Sequence, residues 1–250
     1  MSVYVITHKK FDSKIMYDDD YRTLLVGAYK GHVCGDLFDD TGTNISKSNS
    51  NYCELTGLYW LWKNCDDDYI GIVHYRRFFT HSLKADKALT KNEIKKLLKK
   101  YDVILPFHTR YKMTVKEDLC IESVRIDHLE EMERILKKRY PEYYEAYLSV
   151  FNGKKCSLYN MMIIKKELFY KYCEWLFSIL FELEETIDLT NCTDYQKRIY
   201  GFLSERLINV WIRHNQLKVG EVGIIPVEVQ RDFKTRVLTG LKRVVLYRLL

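Results

Sequence analysis

The chain has 250 residues, of which 47% are hydrophobic and 30% charged, with no low-complexity stretch. That is enough for a sizeable core and too apolar for a disordered protein. A net charge of +6 calls for an anionic partner without choosing among a nucleotide, a nucleic acid and an anionic membrane surface.

In chain order, VYVITH (residues 3–8) is β-branched and aromatic and stops at a polar THKKF, which predicts a buried first strand and a loop. LLVGAYK (24–30) predicts a second strand, and the Gly-, Asp-, Asn- and Ser-rich stretch 35–52 a long surface loop of functional length. CELTGLYWLWKNC (53–65) has Leu55, Leu58, Tyr59 and Trp62 at helical spacing, with Asn51 as N-cap and Glu54 three residues on. DYIGIVHY (68–75) reads as a strand. LTKNEIKKLLKK (89–100) then reads as a helix capped by Thr90 and Glu93, followed by the strand DVILPF, so a parallel crossover is expected. Residues 126–153 predict two helices broken at Pro141 and stopped at Gly153. YNMMIIK predicts a strand running into a long apolar-striped helix, 194–216 another helix, and KVGEVGIIPVEV a late hairpin or strand pair. The expectation is an α/β protein with a mostly parallel central sheet flanked by helices. FKTRVLTGLKRVVLYRLL (233–250) reads as a basic amphipathic helix, suited either to docking or to an anionic membrane interface.

Ligands in open α/β sheets bind at the carboxyl ends of parallel strands, where THKK and HYRR would both sit. Arg76 and Arg77 would offer planar donors suited to phosphate; the alternative is a surface pair bridged to Asp66–Asp68. The DDD run at 66–68 invites a metal, but it precedes its strand and so belongs to the opposite edge. The histidines lack HxH or HxxxH spacing, and the seven cysteines are odd in number with no CxxC pair, which predicts reduced thiols and no zinc. No dinucleotide, P-loop, hydrolase or zincin string occurs. Asp194, at the head of a helix, is either an N-cap or a general base. Glu205 is a base, or a surface carboxylate bridged to Arg198 or Arg206. Trp60, Trp62 and Trp175 are expected in the core. The basic residues are not interleaved with stacking aromatics, which argues against nucleic acid. The short apolar run at the N-terminus is no signal peptide, and nothing approaches a membrane span, so a cytoplasmic protein is expected.

NISKSNSNYCELTGLYWLWKN, DYIGIVHYRRFF, YDVILP, LYNMMIIKKELFYKYCEWLFSILFELE and GFLSERLINVWI together resemble the DUF4422 family of bacterial capsule, exopolysaccharide and O-antigen glycosyltransferases. The resemblance implies a GT-A-like nucleotide-sugar fold over residues 1–228, with 229–250 as a basic appendage. It implies transfer of a sugar, galactopyranose or galactofuranose, from a UDP-sugar to a glycan or lipid-linked oligosaccharide, with peripheral attachment to the inner face of the membrane. Where ordinary GT-A enzymes carry a metal-binding DxD, this sequence reads HYRR. Arg76 and Arg77, with His74, would therefore neutralise the diphosphate without a cofactor or metal, and Tyr75 joins the substrate-binding set. On the same resemblance Thr7, His8 and Lys9 border the nucleotide. Asn44 and the loop to Tyr52, Cys53 and Glu54 close over uracil and ribose. Asn160 reads sugar hydroxyls, Arg206 joins the substrate-binding set, and Glu205, then Asp194, is the base. The alternative is a non-catalytic nucleotide-sugar or carbohydrate-binding protein on the same fold.

Overall fold

The structure, a computed structural model, describes residues 1–11, 15, 17–81 and 86–227. The basic helix expected at the C-terminus lies outside the described residues. Strand β1 (Ser2–Thr7) is followed by β2 (Tyr21–Leu25), β3 (Leu37–Phe38) and the short helix α1 (Asn49–Tyr52). Helix α2 (Leu55–Asn64), β4 (Tyr69–His74), β5 (Arg77–Thr80), α3 (Lys91–Leu98) and β6 (Val103–Pro106) come next. Then follow β7 (Thr109–Arg110), α4 (Val115–Glu122), α5 (Ile126–Arg139), α6 (Tyr144–Phe151), β8 (Lys155–Cys156) and β9 (Met162–Lys165). Helices α7 (Lys166–Thr186) and α8 (Ile199–His214) precede β10 (Val219–Pro226).

The fold is mixed α/β, and the sheet corrects the expectation of a mostly parallel one. β3, β2, β1 and β4 are parallel neighbours, but β9 lies antiparallel between β4 and β6, and β5 is antiparallel to β10. The expected parallel crossover from β4 to β6 is therefore interrupted: both strands pair with β9 rather than with each other. Pairing runs β4–β5–β10–β6–β9 and returns to β4, so this half of the sheet closes on itself and leaves no open edge there. The expected late hairpin is the single strand β10, which joins β5 to β6 across the closure.

Side chains alternate between two cores, as the period of two requires. Tyr4 and Ile6 of β1 face the large cluster built on α2, α5, α6, α7 and α8, while Val3 and Val5 face a smaller one that includes Ile94 and Leu98 of α3. Burial on both faces is why the strands read as continuous apolar runs. Gly57 lets α2 lie close on the sheet, since a Cβ there would stand 2.9 Å from Ile6 Cδ1 and Val26 Cγ1. Thr90 and Glu93 form the expected capping box, and a second, Thr114 with Glu117, starts α4.

Two expectations in the first third of the chain are corrected. The second strand is Tyr21–Leu25, not 24–30, because Gly27 turns left-handed (φ 66) and the Gly27 and Ala28 N–H groups go to the buried Asp39 carboxylate at 3.0 Å each. Asp39 also accepts from Ser46 Oγ (2.5 Å) and Thr56 Oγ1 (2.6 Å), which pins the loop 27–56 from inside. The loop carries β3, a 3-10 turn and α1, and Asn51 lies inside α1 instead of capping the next helix. Cys53, at φ 52 and ψ −127, breaks the chain between α1 and α2. No helix among the described residues is long and apolar enough to cross a membrane.

Candidate active site

In the parallel pairing of β1 with β4, Ile6 stands opposite His74, so the loops after both strands open at one edge of the sheet. HYRR does more than end a strand. His74 pairs with Arg77, which makes residues 74–77 a tight turn between β4 and β5, and the Arg76 carbonyl accepts from Val227 N–H at 2.8 Å. The two arginines are thus delivered by backbone fixed on both sides. Asp66 pairs instead with Lys166, and Asp67 accepts from Tyr4 Oη at 3.0 Å, both at the other end of the strand, about 20 Å away. The surface-pair alternative for Arg76 and Arg77 is therefore not what the fold uses.

At this edge lies a cleft of about 500 Å³, within the roughly 300–1,000 Å³ of small-molecule sites. Thr7, His8, Cys53, Glu54, His74, Arg76, Arg77 and Glu205 all line it. His74 accepts from Arg76 N–H at its Nδ1 (3.3 Å), which leaves the proton on Nε2. Burial, then Arg77 and Arg76, push its pKa down to about 3, so the ring is neutral at physiological pH. Arg76 Nε donates to Tyr75 Oη at 2.7 Å, and the Arg77 guanidinium lies 4.2 Å from the Tyr159 ring centroid.

Glu205 is the most perturbed carboxylate of the cleft. Its Oε1 accepts from Tyr159 N–H (3.0 Å) and its Oε2 from Arg206 (2.7 Å), yet burial dominates and pushes its pKa up to about 7. Glu54 adds to the rise. Burial also pushes Glu54 itself up, against the amide of Asn160, whose Nδ2 donates to Glu54 Oε1 at 2.7 Å. Asn160 accepts in turn from Ser204 Oγ (3.0 Å) and donates to the Gly201 carbonyl (3.2 Å), tying the start of α2 to α8. The peptide that makes this possible is unusual: Tyr159 (φ 77) and Asn160 (φ 50) are both left-handed without being glycine.

The remaining sequence candidates lie elsewhere. Tyr75 is buried beneath the cleft, with the rings of His8 and His74 5.3 and 4.6 Å from its own and Lys9 Nζ 5.4 Å above it. Lys9 is exposed, in a turn held by Thr7 Oγ1, which donates to its carbonyl at 2.5 Å. Tyr52 is a core residue that donates to Glu184 at 2.8 Å and stacks on Tyr200, and Asn44 is spent within its own loop on the carbonyls of Asp40 and Gly42. Arg206 is buried behind Glu205, 3.5 Å from Asp118 on α4, so it positions the carboxylate without facing the cleft. Asp194 is fully exposed and pairs with Lys197 at 3.4 Å, outside the cleft; α8 begins only at Ile199.

Sequence reasoning missed Tyr159, Tyr195, Arg198 and Phe202 as cleft residues, whereas Asn49 and Ser50, also in the lining, fall within the loop expected to close over the nucleoside. One signal was present: Arg198, Phe202 and Glu205 stand at i, i+4 and i+7 and so share a helix face. Tyr159 carried none, because its place depends on the left-handed turn.

The cleft offers three arginines, a neutral imidazole and two carboxylates held toward the protonated form. Among the described residues no group of three or more His, Cys, Asp and Glu side chains is disposed to hold a metal, and the end of β4 carries no carboxylate. The arrangement can bind a polyanion through its guanidinium groups and take a proton at Glu205.

The chain is similar to the solved apo structure of the WbbM bifunctional glycosyltransferase, with 31% identity and a TM-score of 0.82 over 91% of this chain and 45% of that one. It thus spans less than half the length of that protein. No curated protein matches the chain. The family of a domain of unknown function, DUF4422, matches residues 2–216, and the chain belongs to that family.

Proposed function

We propose that the protein is a glycosyltransferase with a GT-A-like fold that moves a hexosyl group, galactose in pyranose or furanose form, from a UDP-sugar to a glycan or lipid-linked acceptor. The observation that carries the reading is Glu205, a carboxylate with its pKa near 7, in one cleft with Arg76 and Arg77 at the carboxyl edge of β1 and β4. Similarity to a bifunctional glycosyltransferase supports the reaction class. The choice of UDP and of galactose rests on the family resemblance alone.

In a single displacement, the acceptor hydroxyl oxygen attacks the anomeric carbon and its proton passes to a Glu205 oxygen. The bond from that carbon to the diphosphate oxygen breaks, and UDP leaves with the electron pair. Negative charge grows on the departing oxygen, where fixed guanidinium donors stabilise the transition state more than the ground state. Arg76 and Arg77 are placed for this by a turn that cannot shift without breaking β5 and β10 pairing. Asn49, Ser50 and Thr7 would border the nucleoside. The reading assigns no step to a metal, since the residues at the end of β4 do not suit one.

A screen of UDP-, GDP- and dTDP-sugars for nucleotide release, run with EDTA and with Mn²⁺, tests this. Release of UDP at equal rates in both conditions is expected. Release only with Mn²⁺ would overturn the guanidinium mechanism, and a donor other than a UDP-sugar would overturn the donor assignment.

A further inference from the structure

The face of α8 that holds Glu205 carries a second feature that donor binding and proton transfer leave unused. Phe202 lies one turn before Glu205, and Arg198 one turn before that, all on the cleft. Tyr195, in the connection leading to α8, packs its ring 4.9 Å from Phe202 at 47°. It remains 47% exposed. The Arg198 guanidinium stands 5.7 and 5.4 Å from the two ring centroids, and its Nε donates to Cys53 Sγ at 3.2 Å. Two rings and a planar cation thus form one anchored surface, open to the cleft on one side.

Such a surface matches a sugar ring. The C–H face of a saturated ring seeks an aromatic face, while its hydroxyls seek a planar multi-donor group at the rim. The diphosphate side of the cleft is cationic and comes from the strand ends, which leaves the α8 wall to whatever must meet Glu205. We infer that Tyr195, Phe202 and Arg198 form the acceptor subsite, taking the terminal sugar of the acceptor glycan with a hydroxyl directed at Glu205. This deepens the transferase reading and rests on it for the acceptor's role, but the sugar-binding surface itself can be tested without turnover.

The test is saturation-transfer NMR with methyl glycosides of galactose, glucose, rhamnose and N-acetylglucosamine, with UDP present, on the whole protein and on Tyr195→Ala and Arg198→Lys. Tyr195 is half in solvent, so its removal leaves the core intact, and an unchanged melting temperature confirms this. The expected result is transfer from the protein onto ring C–H protons of at least one glycoside, with affinity falling about ten-fold in Tyr195→Ala while UDP affinity moves less than two-fold. Arg198→Lys should weaken the same glycoside and change which hydroxyl epimer is preferred. Absence of glycoside binding in the parent protein, or equal binding in Tyr195→Ala, overturns the inference. Loss of UDP affinity with glycoside binding kept would make these rings a nucleobase platform and equally overturn it. If glycoside binding depends on Tyr195 but UDP is not bound at all, the sugar surface stands and the transferase reading fails.

Discussion

The backbone N–H of Tyr159, a residue held left-handed at φ 77, donates to Glu205 Oε1 at 3.0 Å across 46 residues of sequence. Together with Arg206 on the other oxygen, this fixes the carboxylate's orientation while burial keeps its proton affinity high.

The pH profile follows from that balance. Glu205 acts as a base only when ionised, so kcat/KM should rise with pH through about 7, and Glu205→Gln should lose about 10²–10⁴-fold in kcat. The stability sign is the opposite. Between the ordinary carboxyl value near 4.5 and about 7, the folded protein holds a proton that the unfolded chain releases, so stability falls as pH rises through that window. The depressed His74 works the other way, gaining stability as pH rises toward 6.5. Comparing parent with Glu205→Gln cancels the histidine, and urea unfolding at pH 5 and pH 8 should show the parent losing on the order of 2 kcal/mol relative to the variant.

Arg77 tests shape against charge. Its guanidinium lies over the Tyr159 ring at 4.2 Å, which a lysine ammonium cannot reproduce as a planar, two-pronged donor. Arg77→Lys should lower kcat by about 10²-fold with the net charge unchanged. Activity of the parent should survive EDTA, and steady-state kinetics on metal-stripped protein checks both statements.

Asn160 is a positioning residue. Asn160→Ala removes its bonds to Glu54, Gly201 and Ser204 and places alanine at φ 50, so it should cost about 2–4 kcal/mol. For a chain of this size that is roughly 5–12 °C in Tm by calorimetry. Loss of activity should exceed what the remaining folded fraction explains, since Glu54 and the Tyr159 turn both shift.

Asp194 and Tyr52 separate sequence logic from spatial logic. Asp194→Asn, at a fully exposed site, should change stability by less than about 0.5 kcal/mol and activity by less than two-fold. Tyr52→Phe should cost about 1 kcal/mol through the lost bond to Glu184, measured by denaturant unfolding, with KM for the donor unchanged.

What could be read in the sequence was local. The Thr90 capping box, the break at Pro141 and the buried runs of β1 and β4 each follow from a few adjacent residues. So does the co-location of Thr7, His8 and His74, once β1 and β4 are taken as parallel neighbours. Strand β5 was hidden in RRFFT because its turn lies within HYRR itself, and the antiparallel place of β9 beside β4 depends on pairing 90 to 96 residues distant. Tyr52 and Tyr159 show the same limit: one precedes Cys53 and the other Asn160, and backbone direction sends Tyr52 into the core and Tyr159 to the cleft. Asp194 sits before α8 rather than in it, since the first turn of that segment is a 3-10 turn over Gln196–Arg198.

The central claim is that Glu205 is the base of a metal-free sugar transfer in this cleft. The most direct measurement is UDP release from UDP-galactose in its pyranose and furanose forms, by parent and Glu205→Gln proteins stripped with EDTA, at pH 8 with a galactoside acceptor. The account predicts turnover by the parent on one of the two donors and at least 10²-fold less by the variant, with donor binding retained in both. Equal turnover by the two proteins, or turnover that appears only when Mn²⁺ is restored, would contradict it.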